Sequence, residues 1–430
     1  MNNAFEKVSW LPKTNVYEVN IRQYTPEGTF MAFSKHIERL HDMGVDVLWF
    51  MPITPISIKN RKGSLGSYYA CSSYIDINPE FGSMLDFKNL VDKAHGFGMK
   101  VIIDWVANHT GCDHNWTFES PLFYKLNENG DFYDAHGWDD VIDLDYTNQE
   151  MRLAMIASMQ YWIDQFNIDG FRCDMAMLTP VDFWMQARKK IDAEKPHFWL
   201  AELDPMDNLA YMEVFDSAYT WKWMSATRHF KQAGARDIGE LKTILFDYNQ
   251  MLPFSTSPAW FTSNHDENSW NGTEYEKYAE MALPLAVFSS MWHGLPLVYS
   301  GQELPNLKRL LFFDKDEIQW TTQADLHHFY KALFTFRRNH KVFNSIGEIS
   351  IVRFTTNNVD HHVLSFIRRN GPFEVLVIIN FSEYDLNDVA IEVCEDLGIY
   401  HELFSGSTFN FNEQNHRFSI KAWAYEVWYK

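Results

Sequence analysis

Short apolar runs alternate with longer amphipathic stretches through about the first 340 residues, which is the signal for repeated strand–helix units feeding a parallel sheet. The apolar runs are VYEVNI (Val16 to Ile21), VDVLWFMPI (from Val45), VIID (Val101 to Asp104), DGFRCDM (Asp169 to Met175), HFWLAEL (His197 to Leu203), DSAYTW (Asp216 to Trp221), AWFTSNHD (Ala259 to Asp266) and LPLVYSG (Leu295 to Gly301). Between the first two, Phe33, Ile37, Leu40 and Met43 recur at helical spacing. Eight such units predict an α/β chain folded as a (β/α)8 TIM barrel. After Arg337 and Arg338 the pattern changes to period-two or buried strands: EISIVRF, HVLSFIRR, FEVLVIINF, VAIEV and FSIKAWAYEVWY, separated by turn-rich pieces. The expected organisation is a catalytic barrel over 1–104 and 148–345, a small inserted domain over 105–147, and a C-terminal antiparallel β-sandwich over 346–430.

Charge narrows the partners. The 37 Lys and Arg against 57 Asp and Glu give a net charge of −20, which disfavours nucleic acid and fits a neutral ligand better. Cys71, Cys112, Cys173 and Cys394 are scattered without metal or disulfide spacing and read as reduced thiols. The opening MNNAFEKVSWLPK lacks the basic tract and apolar core of an export signal, and no apolar run approaches the ~20 residues of a membrane span. A cytoplasmic protein is expected, without a membrane partner, although a secreted form trimmed of its leader would read the same.

In a barrel of this kind chemistry sits at the C-terminal ends of the strands. The third predicted strand ends in Asp104, followed by Asn108 and His109; the fourth carries Arg172 and Asp174; the fifth ends in Glu202; the seventh runs into His265 and Asp266. Any one of these acids, taken singly, commonly caps a helix or pairs with an Arg. Together, carboxylates on the fourth, fifth and seventh strands would converge on one pocket and raise one another's pKa. Two carboxyl groups about 5–5.5 Å apart are what a retaining glycosidase requires.

At these residues the chain resembles the alpha-amylase family of glycoside hydrolases. DWVANH (Asp104 to His109), GFRCD (Gly170 to Asp174), LAEL around Glu202 and SNHDEN (Ser263 to Asn268) are similar to its four motifs. DVIDLDY (Asp140 to Tyr146) and GSYYACSSYIDINPEFG (Gly66 to Gly82) resemble two further family segments, the second placing a Tyr at Tyr69. The resemblance implies Asp174 as nucleophile, Glu202 as general acid/base, and Asp266 as a grip on the hydroxyls of the reacting sugar. It implies substrate-binding roles for Tyr69, Asp104, His109, Arg172 and His265, with Arg172 keeping Asp174 ionised. The implied substrate is an α-glucan oligosaccharide.

Met177 and Leu178 stand where many starch-cleaving relatives carry Lys and His on the leaving-group side. No cofactor is required by this chemistry. Asn108 matches a family position that often helps hold a structural Ca2+, and Asp113, Asp131, Asp134, Asp139 and Asp140 offer further oxygens. Three activities remain open: a hydrolase of α-1,4 bonds, a transferase or isomerase using the same acids, and a sugar-binding protein that has lost catalysis. The last should lack one of Asp174, Glu202 or Asp266, and all three are present. The oligomeric state is left open.

Overall fold

Val16–Val19 is buried along its whole length, with no solvent-facing alternation, because a strand of a parallel sheet is covered on both sides. It is β1 of ten strands that precede residue 300 in this computed structural model, which describes residues 5–253, 255–320, 324–344, 351–392, 398–411 and 415–430. The others are β2 (Val47–Phe50), β3 (Lys100–Trp105), the short antiparallel pair β4 (His109–Gly111) and β5 (Val141–Asp143), then β6 (Gly170–Cys173), β7 (Phe198–Ala201), β8 (Ser217–Ala218), β9 (Ala259–Trp260) and β10 (Leu295–Tyr299). Eight of them pair in parallel in the order β8-β7-β6-β3-β2-β1-β10-β9, and a parallel bridge from Tyr219 to Ala259 closes the ring. This is the (β/α)8 barrel, and β4–β5 belong to the excursion between its third and fourth strands.

Helices pack apolar residues on the ring, most of them along one stripe, while Ala282–Met291 is buried at nearly every position. Met84–Gly96 starts with a capping box, in which Ser83 and Asp86 satisfy each other's backbone donors, and buries Phe87, Leu90, Val91 and Ala94 at helical spacing. Burying each of the larger side chains is worth about 1.5–3 kcal/mol. Gly170 opens β6 because it lies hard against β7: an added Cβ would fall 2.0 Å from the Phe198 carbonyl oxygen.

Several predicted elements are corrected. The run 33–43 is two helices, Phe30–Phe33 and Ile37–Met43, joined by a 3-10 turn. The sixth strand spans only Ser217–Ala218, since Trp221 already begins the helix Trp221–Gln232, and the seventh spans only Ala259–Trp260. The residues after Trp260 leave the ladder to line the mouth of the barrel.

The C-terminal strands are β11 (Ile351–Phe354), β12 (Val363–Asn370), β13 (Phe373–Asn380), β14 (Leu386–Glu392), β15 (Gly398–Glu402), β16 (Thr408–Phe411), β17 (Asn415–Ile420) and β18 (Tyr425–Tyr429). The predicted run FSIKAWAYEVWY is split between β17 and β18, which lie in different sheets, by a turn holding Trp423 at φ +55°. The start of EISIVRF, the predicted boundary near 346, and Cys394 lie outside the described residues. A six-stranded antiparallel sheet, β11-β12-β13-β18-β15-β16, has two buried faces. Val375, Val377 and Ile379 join the barrel's core, while Leu376 and Ile378 pack with Val389 and Ile391 of the β14–β17 pair. Trp292 anchors the first face, with its ring 4.8 Å from Phe366 and 5.3 Å from Phe354. Cys71, Cys112 and Cys173 are buried free thiols. Among the described residues no helix is long and apolar enough to cross a membrane.

Candidate active site

Arg172, on β6, points into the barrel mouth with its side chain fully buried, and three acids surround it. Its Nη1 lies 3.0 Å from Asp104 Oδ1 and 2.9 Å from Asp174 Oδ1, and its Nη2 lies 2.9 Å from Glu202 Oε2. A buried charge needs such partners, because unpaired it would cost several kcal/mol. Glu202 Oε2 also accepts a hydrogen bond from the Met175 backbone N–H at 2.8 Å. Burial pushes the Glu202 carboxyl up to about 7; Arg172 opposes this, and Asp174 and Asp266 add to it. Burial likewise raises Asp174 to about 6 against the pull of Arg172, with Asp104 reinforcing the rise. Asp104, at about 6, is raised by burial against Arg172 and His265. Arg172 therefore orders the acids without holding Asp174 below its usual range, since desolvation is the larger effect.

A second chain of contacts fixes the other side of the cleft. His265 Nδ1 is 2.5 Å from Glu18 Oε1, and its Nε2 is 3.0 Å from Asp266 Oδ2 and 2.7 Å from the Tyr69 hydroxyl. Burial disfavours the imidazolium, but Asp266 and Glu18 outweigh burial and raise His265 well above its usual value. Desolvation works against ionised Asp266, yet His265 holds that carboxyl below its ordinary range. Tyr69 lies against His265, ring centroids 5.4 Å apart at 20°, and its hydroxyl also donates to Asp104 Oδ2. His109 is kept neutral by burial, with its pKa lowered to about 4, and its Nε2 is buried without a hydrogen-bond partner among the described residues. Tyr69, His109, Asp174, Glu202 and Asp266 all line one cavity of about 230 Å3. A larger depression of about 540 Å3 shares Trp138 and Val141 with it but holds none of the strand-end acids. Asp104 and Arg172 sit beneath the cavity and position its walls.

Residues 13–140 and 123–334 match the alpha amylase catalytic domain, and residues 355–425 match the alpha amylase C-terminal all-beta domain. The chain belongs to the alpha-amylase family. It is 22% identical to alpha-amylase MalA of Haloarcula japonica over 88% of this chain, and 22% identical to alpha-amylase 2 of Dictyoglomus thermophilum over 94% of it. The chain spans 56% of the length of the first protein and 75% of the second. Among solved structures it is similar to a noncanonic maltogenic alpha-amylase, AmyB, from Thermotoga neapolitana, with a TM-score of 0.88, 27% identity, and 98% of this chain and 99% of that one covered. An alpha-amylase from Lactobacillus plantarum gives a TM-score of 0.86 at 27% identity, over 98% and 100% of the two chains.

Within this alpha-amylase family site, sequence reasoning missed Glu18 and much of the cavity wall. Glu18 carried a signal: it is the lone charge inside the apolar run VYEVNI, and it is fully buried. Lys62, Trp138, Phe312 and Phe313 line the cavity from loops and Trp270 from the short π-helix Glu267–Asn271, and no local pattern marks them.

The acids considered for Ca2+ do not meet at one point. Asp113 accepts the Ile58 and Lys59 backbone N–H groups, and Asp139 and Asp140 both pair with Lys62. Asn108 presents Nδ2 to Asp143 Oδ1 at 3.4 Å. Asp134, His136 and Asp143 do bring ligand atoms within 4.8 Å of one another, a set compatible with a cation. The Lys125 ammonium, 3.0 Å from Asp143 Oδ2, already supplies positive charge there. No step of the chemistry below runs through that cluster.

Proposed function

We propose that the chain is a retaining glycosidase that hydrolyses α-1,4 bonds of maltooligosaccharides and similar α-glucans. The observation that carries this reading is the pair Asp174 and Glu202, held by one guanidinium at the cavity floor, with the Glu202 proton retained to about pH 7. Asp174 attacks the anomeric carbon while Glu202 gives its proton to the departing glycosidic oxygen, forming a covalent glycosyl-enzyme. Glu202, now ionised, takes a proton from the incoming water, which releases the sugar with its α configuration restored. Tyr69 forms a flat wall for the reacting ring. Asp266, ionised beside His265, favours the positive charge that develops on that ring and accepts from its hydroxyls. The unpaired His109 Nε2 gains a partner when a sugar hydroxyl arrives. The alpha-amylase names of the similar structures from Thermotoga neapolitana and Lactobacillus plantarum support the same substrate class.

Short chains are favoured over polymeric starch. Met177, 44% exposed, is apolar, and with Leu178 it leaves the leaving-group side without the Lys and His donors that would grip further sugars. Losing two hydrogen bonds at about 1 kcal/mol each weakens binding there by roughly an order of magnitude or more. The test is proton NMR of the first product from maltoheptaose: α-anomer is expected, and initial β-anomer refutes the mechanism. Asp174→Ala and Glu202→Gln should each lose about 10²-fold or more in turnover.

A further inference from the structure

The loop after β2 is held from two sides at the cavity's edge. Lys62 Nζ lies 2.9 Å from both Asp139 and Asp140 of the inserted segment. On its other flank the Ser64 backbone N–H and hydroxyl both donate to Asp314 Oδ1, at 2.8 and 2.5 Å, and Leu65 N–H donates to the Phe313 carbonyl at 3.0 Å. Gly63, at φ +59°, is pressed against the same loop after β10, and a Cβ there would fall 2.6 Å from Phe313 Cβ. Trp270, 53% exposed, leans on Phe312 and Phe313 at 5.4 and 5.7 Å and extends this barrier from the short π-helix Glu267–Asn271 that follows β9.

The barrel's order tells which end of a substrate this barrier meets. In the closed ring β1 lies between β10 and β2, and β7, which bears Glu202, lies directly across from β1. The loops after β2 and β10 meet over β1, so the barrier stands opposite Glu202. A leaving group departs on the side of the acid that protonates it, which places the retained, non-reducing part of the chain against the barrier. The cavity, about 230 Å3, is also below the roughly 300–1,000 Å3 of sites that enclose a whole drug-sized ligand, so it encloses only a short stretch of chain.

We propose that the Lys62–Ser64 loop and the Phe313–Asp314 loop form an end wall on the non-reducing side, so that this enzyme takes α-glucans by their free non-reducing ends and releases short products. This rests on the glycosidase reading above and adds the direction of attack. A free 4-hydroxyl fits against the wall, whereas a chain continuing past it collides with a loop held through Lys62, Ser64 and Leu65.

The test uses maltoheptaose carrying a fluorophore at the reducing end, with the non-reducing 4- and 6-hydroxyls either free or joined as a cyclic ethylidene acetal. Products are resolved by chromatography at low conversion. The expected result is cleavage of the free-ended sugar, first labelled products shortened by one or two units, and at least fifty-fold slower cleavage of the blocked sugar. Comparable rates on the two sugars, or first products spread over all lengths, overturn the end wall while leaving the hydrolase reading standing. No cleavage of the free-ended sugar overturns both. Combining Ser64→Ala with Asp314→Ala loosens the wall without touching the acids, and should raise the blocked-to-free rate ratio at least tenfold. A variant with wild-type melting behaviour and an unchanged ratio overturns the wall's role.

Discussion

Replacing Glu202 with Gln should destroy turnover and, above neutral pH, stabilise the protein. In the folded state burial raises this carboxyl from 4.5 to about 7, despite Arg172, so the fold binds its proton more tightly than the unfolded chain does. Stability from that proton is fully present below pH 4.5 and is lost as pH rises through about 7. A rise of that size is worth on the order of 3 kcal/mol once the group is ionised. Gln keeps an oxygen to accept the Met175 N–H, and Arg172 keeps Asp104 and Asp174 as partners, so the substitution removes an ionisation penalty without stranding the guanidinium. Domains of 150–250 residues gain about 2–4 °C per kcal/mol and longer chains gain less, so the variant should melt roughly 3–6 °C above wild type at pH 8.5. At pH 4.5 the two should melt together. The assay is scanning calorimetry of both proteins across this range at one scan rate. A difference independent of pH, or a wild type that is the more stable at pH 8.5, refutes the assignment of the raised pKa to Glu202.

The rate should follow a bell in pH. kcat/KM needs ionised Asp174 and protonated Glu202, so it should peak between about 6 and about 7 and fall on both sides, with the acid limb set by Asp174 beside Asp104. Glu18→Gln removes the charge that helps keep His265 protonated; kcat/KM should fall about 10–100-fold with the melting temperature little changed, read by steady-state kinetics on maltoheptaose. Trp292→Ala empties the contact between the barrel and the six-stranded sheet and should cost about 3–5 kcal/mol of stability, seen as a lowered melting temperature with kcat/KM unaltered in the folded fraction. Dialysis against a metal chelator should leave kcat unchanged, because Lys125 supplies positive charge beside Asp143 and the reacting groups are all side chains.

What the sequence reveals depends on whether a residue's role is fixed by its own strand or by a neighbour far along the chain. Asp104, Arg172, Asp174 and Glu202 were legible because each closes a buried strand of a parallel barrel, where an unexplained charge stands out against apolar neighbours. The strands ending at Ala218 and Trp260 were over-extended for a related reason: Phe261 to Asp266 keeps an apolar start, but its backbone turns out of the ladder to present His265 and Asp266, and period alone does not register the departure. The end wall obeys a third logic. Ser64 and Asp314 are 250 residues apart and meet across β1, which lies between their two strands and is followed by the four-residue helix Ile21–Tyr24. Arg22, in that helix, donates to the Gly66 and Leu65 carbonyls, and Lys315 reaches the Thr25 carbonyl, so the segment after β1 supports both loops from below. The chemistry is thus set by residues at strand ends, while the length of glucan admitted is set by loops that become neighbours only when the ring closes.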